Sequence, residues 1–205
     1  MRELALLFTE LDETNKTNEK VESLKNYFSK VTDADKIHTL ALFTGRKPKR
    51  PINSTLMKSY AMEMAGISPW LFDESYHVVG DLSETIALLL PPPESTHSNT
   101  LAQWMQEIYD AASLSEVEKK NWLLNAWASM SESERFVFNK VLGGSFRVGV
   151  SQNLIIKALS EVFHLTPAVL THRVMGNWDP FTFSFSSLVQ PEDTSDDISR
   201  PYPFF

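Results

Sequence analysis

The stretch Gly143-Gly144-Ser145-Phe146-Arg147-Val148-Gly149-Val150-Ser151 holds the residue types that can seat a phosphate, just ahead of the apolar segment Gln152 to Phe163. Three glycines let a backbone approach another molecule closely or adopt φ > 0, and Arg147 offers a planar fork of donors. Ser151 opens a helix, where the first N–H groups are unpaired and the macrodipole is positive. Glycine loop, arginine and helix start can together hold an anion. The same composition also serves as an ordinary turn between two helices.

The chain carries the unit twice. A shift of 98 residues sets Gly45 on Gly143, Lys49 on Arg147, Ile52 on Val150, Leu56 on Leu154 and Glu63 on Glu161. Ile67-Ser68-Pro69 then falls on Leu165-Thr166-Pro167, each a cap residue with proline at the first helical position, and Leu71-Phe72 falls on Val169-Leu170. A two-residue slip brings Gly80 onto Gly176. The glycines, the basic residue and the Ser/Thr-Pro starts carry this match, because apolar coincidences between helices are common.

Other chemistry is scarce. There is no G-x-x-x-x-G-K-[ST] loop and no G-x-G-x-x-G fingerprint. Gly143-x-Ser145-x-Arg147 breaks a G-x-S-x-G nucleophile elbow at its last glycine, leaving Ser145 as a loop hydroxyl able to donate to phosphate. Zero cysteines exclude disulfides and thiolate metal sites, and five scattered histidines show no metal-ligand spacing. His164 and His172 read as helix-surface or partly buried residues. The acid pairs Asp73-Glu74, Glu132/Glu134 and Asp196-Asp197 sit in contexts that look exposed, and the Trp and Met residues fall on stripes suited to core packing.

A net charge of −7 argues at first sight against a polyanionic partner. Its distribution reverses that reading. Residues 36–62 contain no acid and six bases, Lys36, Arg46, Lys47, Lys49, Arg50 and Lys58; residues 135–160 contain no acid and four, Arg135, Lys140, Arg147 and Lys157. Both windows coincide with the repeat, while the remaining chain holds 26 acids. Two acid-free windows in an acidic chain point to two places that meet a polyanion.

The elements that must position these loops read as helices. With 205 residues and 42% apolar content the chain can bury a real core, and no apolar run is long enough to span a membrane or serve as a secretory signal, so the cytoplasm is expected. Apolar stripes at spacings of three and four run through Leu4–Leu11, Val21–Val31 and Ile37–Phe43, the last capped by Thr32-Asp33 and stopped at Gly45. Arg46-Lys47-Pro48-Lys49-Arg50-Pro51 is kept extended by its prolines and empties into a helix start at Asn53-Ser54. Thr85 to Leu90, apolar on nearly every side, is expected to be central, ended by Pro91-Pro92-Pro93; residues 94–99 connect two halves. Ser115-x-x-Glu118 and Ser131-x-x-Glu134 are capping boxes. Phe181, Phe183 and Phe185 alternate with polar residues as an extended strip that covers a helical core, and residues 191–205 have a linker composition. The expected fold is all-α, one multi-helix domain over 1–190 with pseudo-symmetric halves of about 1–93 and 100–190.

Phe43-Thr44-Gly45-Arg46-Lys47-Pro48-Lys49-Arg50-Pro51, Gly80-Asp81-Leu82-x-Glu84-Thr85-Ile86-Ala87-Leu88-Leu89-Leu90, the Arg147 loop and the closing Arg200-Pro201-Tyr202-Pro203-Phe204 resemble the N-terminal DNA-binding domain of ATP-dependent DNA ligases, especially the bacterial multidomain type. The resemblance spans essentially the whole chain and is most specific around Arg147. It implies an all-helical, internally pseudo-symmetric body that grips both sides of a nick through the minor groove, ahead of a nucleotidyltransferase domain and an OB-fold domain. By position it implies DNA contacts at Gly144, Ser145, Arg147, Gly149 and Ser151 in one seat and at Lys49, Arg50 and Asn53 in the other, with Arg46, Lys47 and Lys58 as supporting charge.

The ligase nucleophile is a lysine in K-x-D-G, which this sequence lacks. The chain is therefore expected to be non-catalytic, a fragment or separate domain ending at a linker where the catalytic domain would begin, with ATP and Mg²⁺ belonging to the parent enzyme of DNA replication, repair and recombination. The expected partners are nicked duplex DNA, bound through its backbone, and the ligase's own other domains, in a bacterial cytoplasm at the nucleoid. The competing expectation is an acidic helical interaction module whose basic loops dock an acidic protein.

Overall fold

The computed structural model describes residues 1–144, 146 and 149–190. Its helices begin where side chains can satisfy their first N–H groups. Thr32 accepts from the backbone N–H of Asp35, Asn53 from Leu56, Ser68 from Leu71, Asp81 from Glu84 and Thr166 from Val169. Ser115 and Ser131 form the reciprocal capping boxes expected with Glu118 and Glu134, and Thr100 forms a third with Gln103.

The resulting order is α1 (Arg2–Asp12), α2 (Thr17–Lys30), α3 (Asp33–Phe43), α4 (Ser54–Ala65), α5 (Pro69–Val79) and α6 (Leu82–Leu89). Then come α7 (Leu101–Ala111), α8 (Glu116–Ser129), α9 (Glu132–Gly143), α10 (Gln152–Phe163), α11 (Pro167–Met175) and α12 (Phe185–Val189). No strand occurs among the described residues, so the fold is all-α. No single described helix is long and apolar enough to cross a membrane.

The helix bounds repeat. α1 to α3 recur as α7 to α9 about 99 residues later, and α4 and α10 share bounds at a shift of 98. The pairings repeat as well: α1 packs on α9 as α7 packs on α3, α2 on α10 as α8 on α4, and α6 on α9 as α12 on α3. The first helices of each sequence half thus lie against the other half. One core results, from Leu4, Phe28 and Leu40 through Trp127, Phe138 and Leu159 to Phe185.

Two expectations need correction, and a third holds with one exception. The Phe181–Phe185 strip is a turn followed by α12, because Asp179 accepts from the backbone N–H of Phe181 through its side chain and of Thr182 and Phe183 through its carbonyl. Its covering role stands for Phe185 and Leu188, which enter the core, whereas Phe183 is exposed. The Thr85–Leu90 segment is central as expected, with Thr85, Ile86, Ala87 and Leu90 buried, except at Leu88, which is half in solvent. Core packing fails for Trp70 and Met175, which are 70% and 68% exposed.

Helix ends follow the repeat with one telling exchange. α4 ends on Gly66 at φ 65, and α10 ends at the matching position on His164 at φ 56, the one non-glycine with positive φ among the described residues. The left-handed conformation costs a side chain that glycine does not carry. His164→Gly is expected to stabilise the protein by about 0.5–1 kcal/mol, read as a raised urea midpoint at unchanged m-value.

Candidate nucleic-acid interface

Two loops follow matching helices, residues 44–53 after α3 and residues 144–151 after α9. Each is fastened from beneath by an apolar side chain. Ile52 is 2% exposed, and Phe146 sets its ring edge-on to Phe8 of α1 at 4.8 Å and to Phe43 of α3 at 5.5 Å. Phe43 is the residue that leads into the first loop, so one aromatic cluster holds both.

The loops meet on the same surface. Lys47 Nζ donates to the carbonyl of Gly144, and the Arg50 guanidinium lies so close over Gly144 that a Cβ there would stand 2.9 Å from its Nη2. Gly144 adopts φ 66 as the cap of α9, which exposes its carbonyl at the turn. Lys20 of α2 donates to the Gly149 carbonyl at 3.1 Å, so the second loop is held at both ends by lysines from elsewhere in the chain. Sequence reading missed Lys20 and Phe146, one lying over a hundred residues away and the other reading as loop filler.

The remaining site residues divide by what their charged or polar heads do. Lys49 is exposed and makes no hydrogen bond or ion pair with a described residue; Arg50 is exposed beside Gly144. Asn53 is exposed and spends its carbonyl oxygen on capping α4. Ser151 sits at the N-cap position of α10 in extended conformation but makes no capping hydrogen bond, leaving its hydroxyl at the helix entrance. Lys157, two turns into α10, is exposed and also unpaired among the described residues. Ser145 and Arg147 lie outside the described residues, as does the segment 191–205.

Several cations of the two windows turn out to be committed elsewhere. Arg46 donates to Thr44 Oγ1 at 2.9 Å, to Val174 O at 3.0 Å and to Gly176 O at 2.7 Å, and its guanidinium stacks 4.1 Å above Trp178. Burial pushes its pKa down from the usual guanidinium value, although it stays charged near neutrality. Arg46 therefore clamps the first loop to the end of α11. Lys58 pairs with Asp73 and Lys140 with Asp81. Arg135 is 1% exposed and donates to Trp127 O at 2.6 Å and Pro91 O at 2.7 Å. Among the acids, Glu134 is buried in its capping box with His97 at 3.2 Å, contrary to the exposed context its sequence suggests. Asp81 experiences opposing effects: partial burial raises its pKa, but the Lys140 ammonium and the N–H groups of Glu84 and Ser83 outweigh it and hold the carboxyl below its ordinary value.

What remains is a joint surface where Lys47, Arg50 and Lys20 meet the turns at Gly144 and Gly149, with Lys49 exposed on the first loop and an open helix entrance at Ser151. Such a surface can hold a chain of phosphates, and no described group of three His, Cys, Asp or Glu side chains could hold a metal. The family model described as DNA ligase N terminus matches residues 1–160. No curated protein sequence matches the chain.

Removing a committed cation should harm the fold, and removing a free one should not. Arg135→Ala strips buried carbonyls of a charged donor and is expected to cost about 3 kcal/mol in chemical denaturation, while Lys49→Ala should stay within about 0.5 kcal/mol. Because the Asp81 pKa is depressed in the folded state, its contribution is present above the ordinary carboxylate value near 4 and is lost as pH falls through the lower folded value. Asp81→Asn keeps a capping oxygen but should flatten that acid limb of the stability curve.

Proposed function

The chain belongs to the DNA ligase N-terminus family, and from that premise we propose that it is the DNA-binding domain of an ATP-dependent ligase, holding duplex DNA on both sides of a nick through the phosphate backbone. The observation that carries the reading is the joining of two cationic loops on one face through Lys47, Gly144 and Arg50. Lys49, Arg50 and Asn53 would form the first seat, and Gly144, Gly149, Ser151 and Lys157 the second, with Ser145 and Arg147 assigned there by family likeness. Lys47 and Lys20 carry charge to the seam between the seats. Arg46 and Lys58 are left out of the contact set because their heads are engaged by Val174, Gly176 and Asp73.

Backbone contacts fix register and orientation without reading bases. That suits a ligase, whose breaks occur at any sequence. Repetition of helix bounds and pairings supports an approximate dyad between the two seats, and the two strands of a duplex are themselves related by dyads. A matched pair of seats can therefore address both strands, or the duplex to either side of the break, with equivalent contacts.

The ligation chemistry would lie in companion nucleotidyltransferase and OB-fold domains of the parent enzyme, where ATP supplies the adenylyl group with Mg²⁺. This sequence has no K-x-D-G lysine, and no step of that chemistry is assigned to its residues. Its part is to bind and orient the substrate for replication, repair or recombination, in the bacterial cytoplasm with the nucleoid.

Fluorescence anisotropy of labelled nicked, intact and single-stranded DNA across a salt series tests the proposal. Affinity should be indifferent to sequence, favour nicked duplex, and fall on a log–log plot by about 0.9 per phosphate neutralised. Lys49→Ala with Arg50→Ala should weaken every duplex alike and reduce the slope by about two. A salt-independent interaction, or a loss confined to one DNA sequence, would overturn it.

A further inference from the structure

Helix α5 is the least covered of the long helices: of its residues Pro69–Val79 only Phe72 is buried. Its repeat counterpart α11 buries both Leu170 and Val174. The two differ in the chain that succeeds them. After α11 the backbone turns back over the helix, so that Trp178 Nε1 donates to Val174 O at 2.9 Å and Arg173 donates to the carbonyls of Leu188 and Gln190, while the next helix packs alongside in both halves, α6 on α5 and α12 on α11. Ninety-eight residues earlier Phe72 matches Leu170 in burial, but Tyr76, in the place of Val174, is 41% exposed. No indole returns over α5.

The bare surface has a definite composition. Trp70 is 70% exposed, Leu71 41%, Val78 86% and Leu88 50%. Leu71, Ser75 and Val78, spaced by four and three, share one face of α5. Across a groove of about 380 Å³ Ser75 and Val78, with Val79, face Leu88 and Leu89 of α6, with Glu74 also lining it. Glu84 stands one turn before Leu88 on the same face of α6 and is exposed. Neither Glu74 nor Glu84 forms an ion pair with a described residue, whereas the neighbouring Asp73 is neutralised by Lys58.

We propose that this groove docks an amphipathic helix of a partner protein, with its apolar side against Val78 and Leu88 and its lysines or arginines against Glu74 and Glu84. Apolar anchors at helical spacing in a groove are the usual means of such docking, and flanking charge sets the orientation. The same two acids disfavour other occupants. DNA is repelled by them, and a second copy laid isologously on this face would bring each acid towards its own image. None of the residues lining the groove belongs to the cationic loops.

A labelled leucine–lysine amphipathic peptide of about five helical turns, and its leucine–glutamate analogue, titrated by anisotropy with the 205-residue chain, provide the test. The leucine–lysine peptide should bind saturably and the leucine–glutamate peptide should not. Val78→Ser with Leu88→Ser, and separately Glu74→Lys with Glu84→Lys, should each weaken binding by roughly tenfold or more, with thermal unfolding unchanged in both and DNA affinity unchanged in the serine variant. All four positions are exposed, so the fold tolerates the changes. Equal binding of both peptides, or full binding by either double variant, would overturn the proposal. So would concentration-dependent self-association abolished by Val78→Ser with Leu88→Ser, since the groove would then be filled by a second copy.

Discussion

Two loops that both carry positive charge repel each other, and the rest of this structure is arranged to keep them side by side all the same. Their mutual repulsion is met in three ways. Backbone carbonyls at Gly144 and Gly149 accept from Lys47 and Lys20, drawing cations onto partial negative charge. Phe146 ties the second loop to Phe43 at the root of the first, through burial that salt does not weaken. Arg46, turned inward, stacks on Trp178 and fastens the first loop to the end of α11. The consequence is a surface whose charges are already in position before any polyanion arrives, which lowers the ordering cost of binding.

The sequence is most legible where the physics is local. Capping boxes, Ser/Thr-Pro starts and glycine stops specify helix bounds from three or four adjacent residues, and the helices begin where those signals stand. The location of the basic loops was legible for the same reason, since prolines and glycines fix them whatever surrounds them. What a charged head does was not legible. Arg135 and Lys140 share an acid-free window with Lys157, yet Arg135 is buried against Trp127 O and Pro91 O, Lys140 meets Asp81, and only Lys157 faces solvent unpaired among the described residues. These fates depend on partners about 44 to 59 positions away or on another helix, and an acid-free stretch of chain need not be an acid-free surface. Likewise the alternation of Phe181, Phe183 and Phe185 imitates a strand because Asp179 organises a turn that places only the last of them in the core.

Differences between matched helices are as informative as the match. Gly80 and Gly176 align, but Gly80 closes α5 at φ 81 while Gly176 takes φ −59 and its carbonyl accepts from Arg46. At the entrances, Asn53 caps α4 with its side chain, whereas Ser151 leaves α10 uncapped. An uncapped start keeps backbone donors available to an incoming oxygen; a capped one presents a side-chain amide in their place. The two loops thus share a plan and differ in the donors they present at the helix starts.

The exchange of packing partners also makes the two sets of helices depend on each other. The first six helices alone would leave α1 without α9 and α3 without α7, and Phe8 without the ring of Phe136. Residues 94–99, where Glu94 and Ser95 donate to Ala128 O, hold both sets in one polypeptide, so dilution cannot separate them.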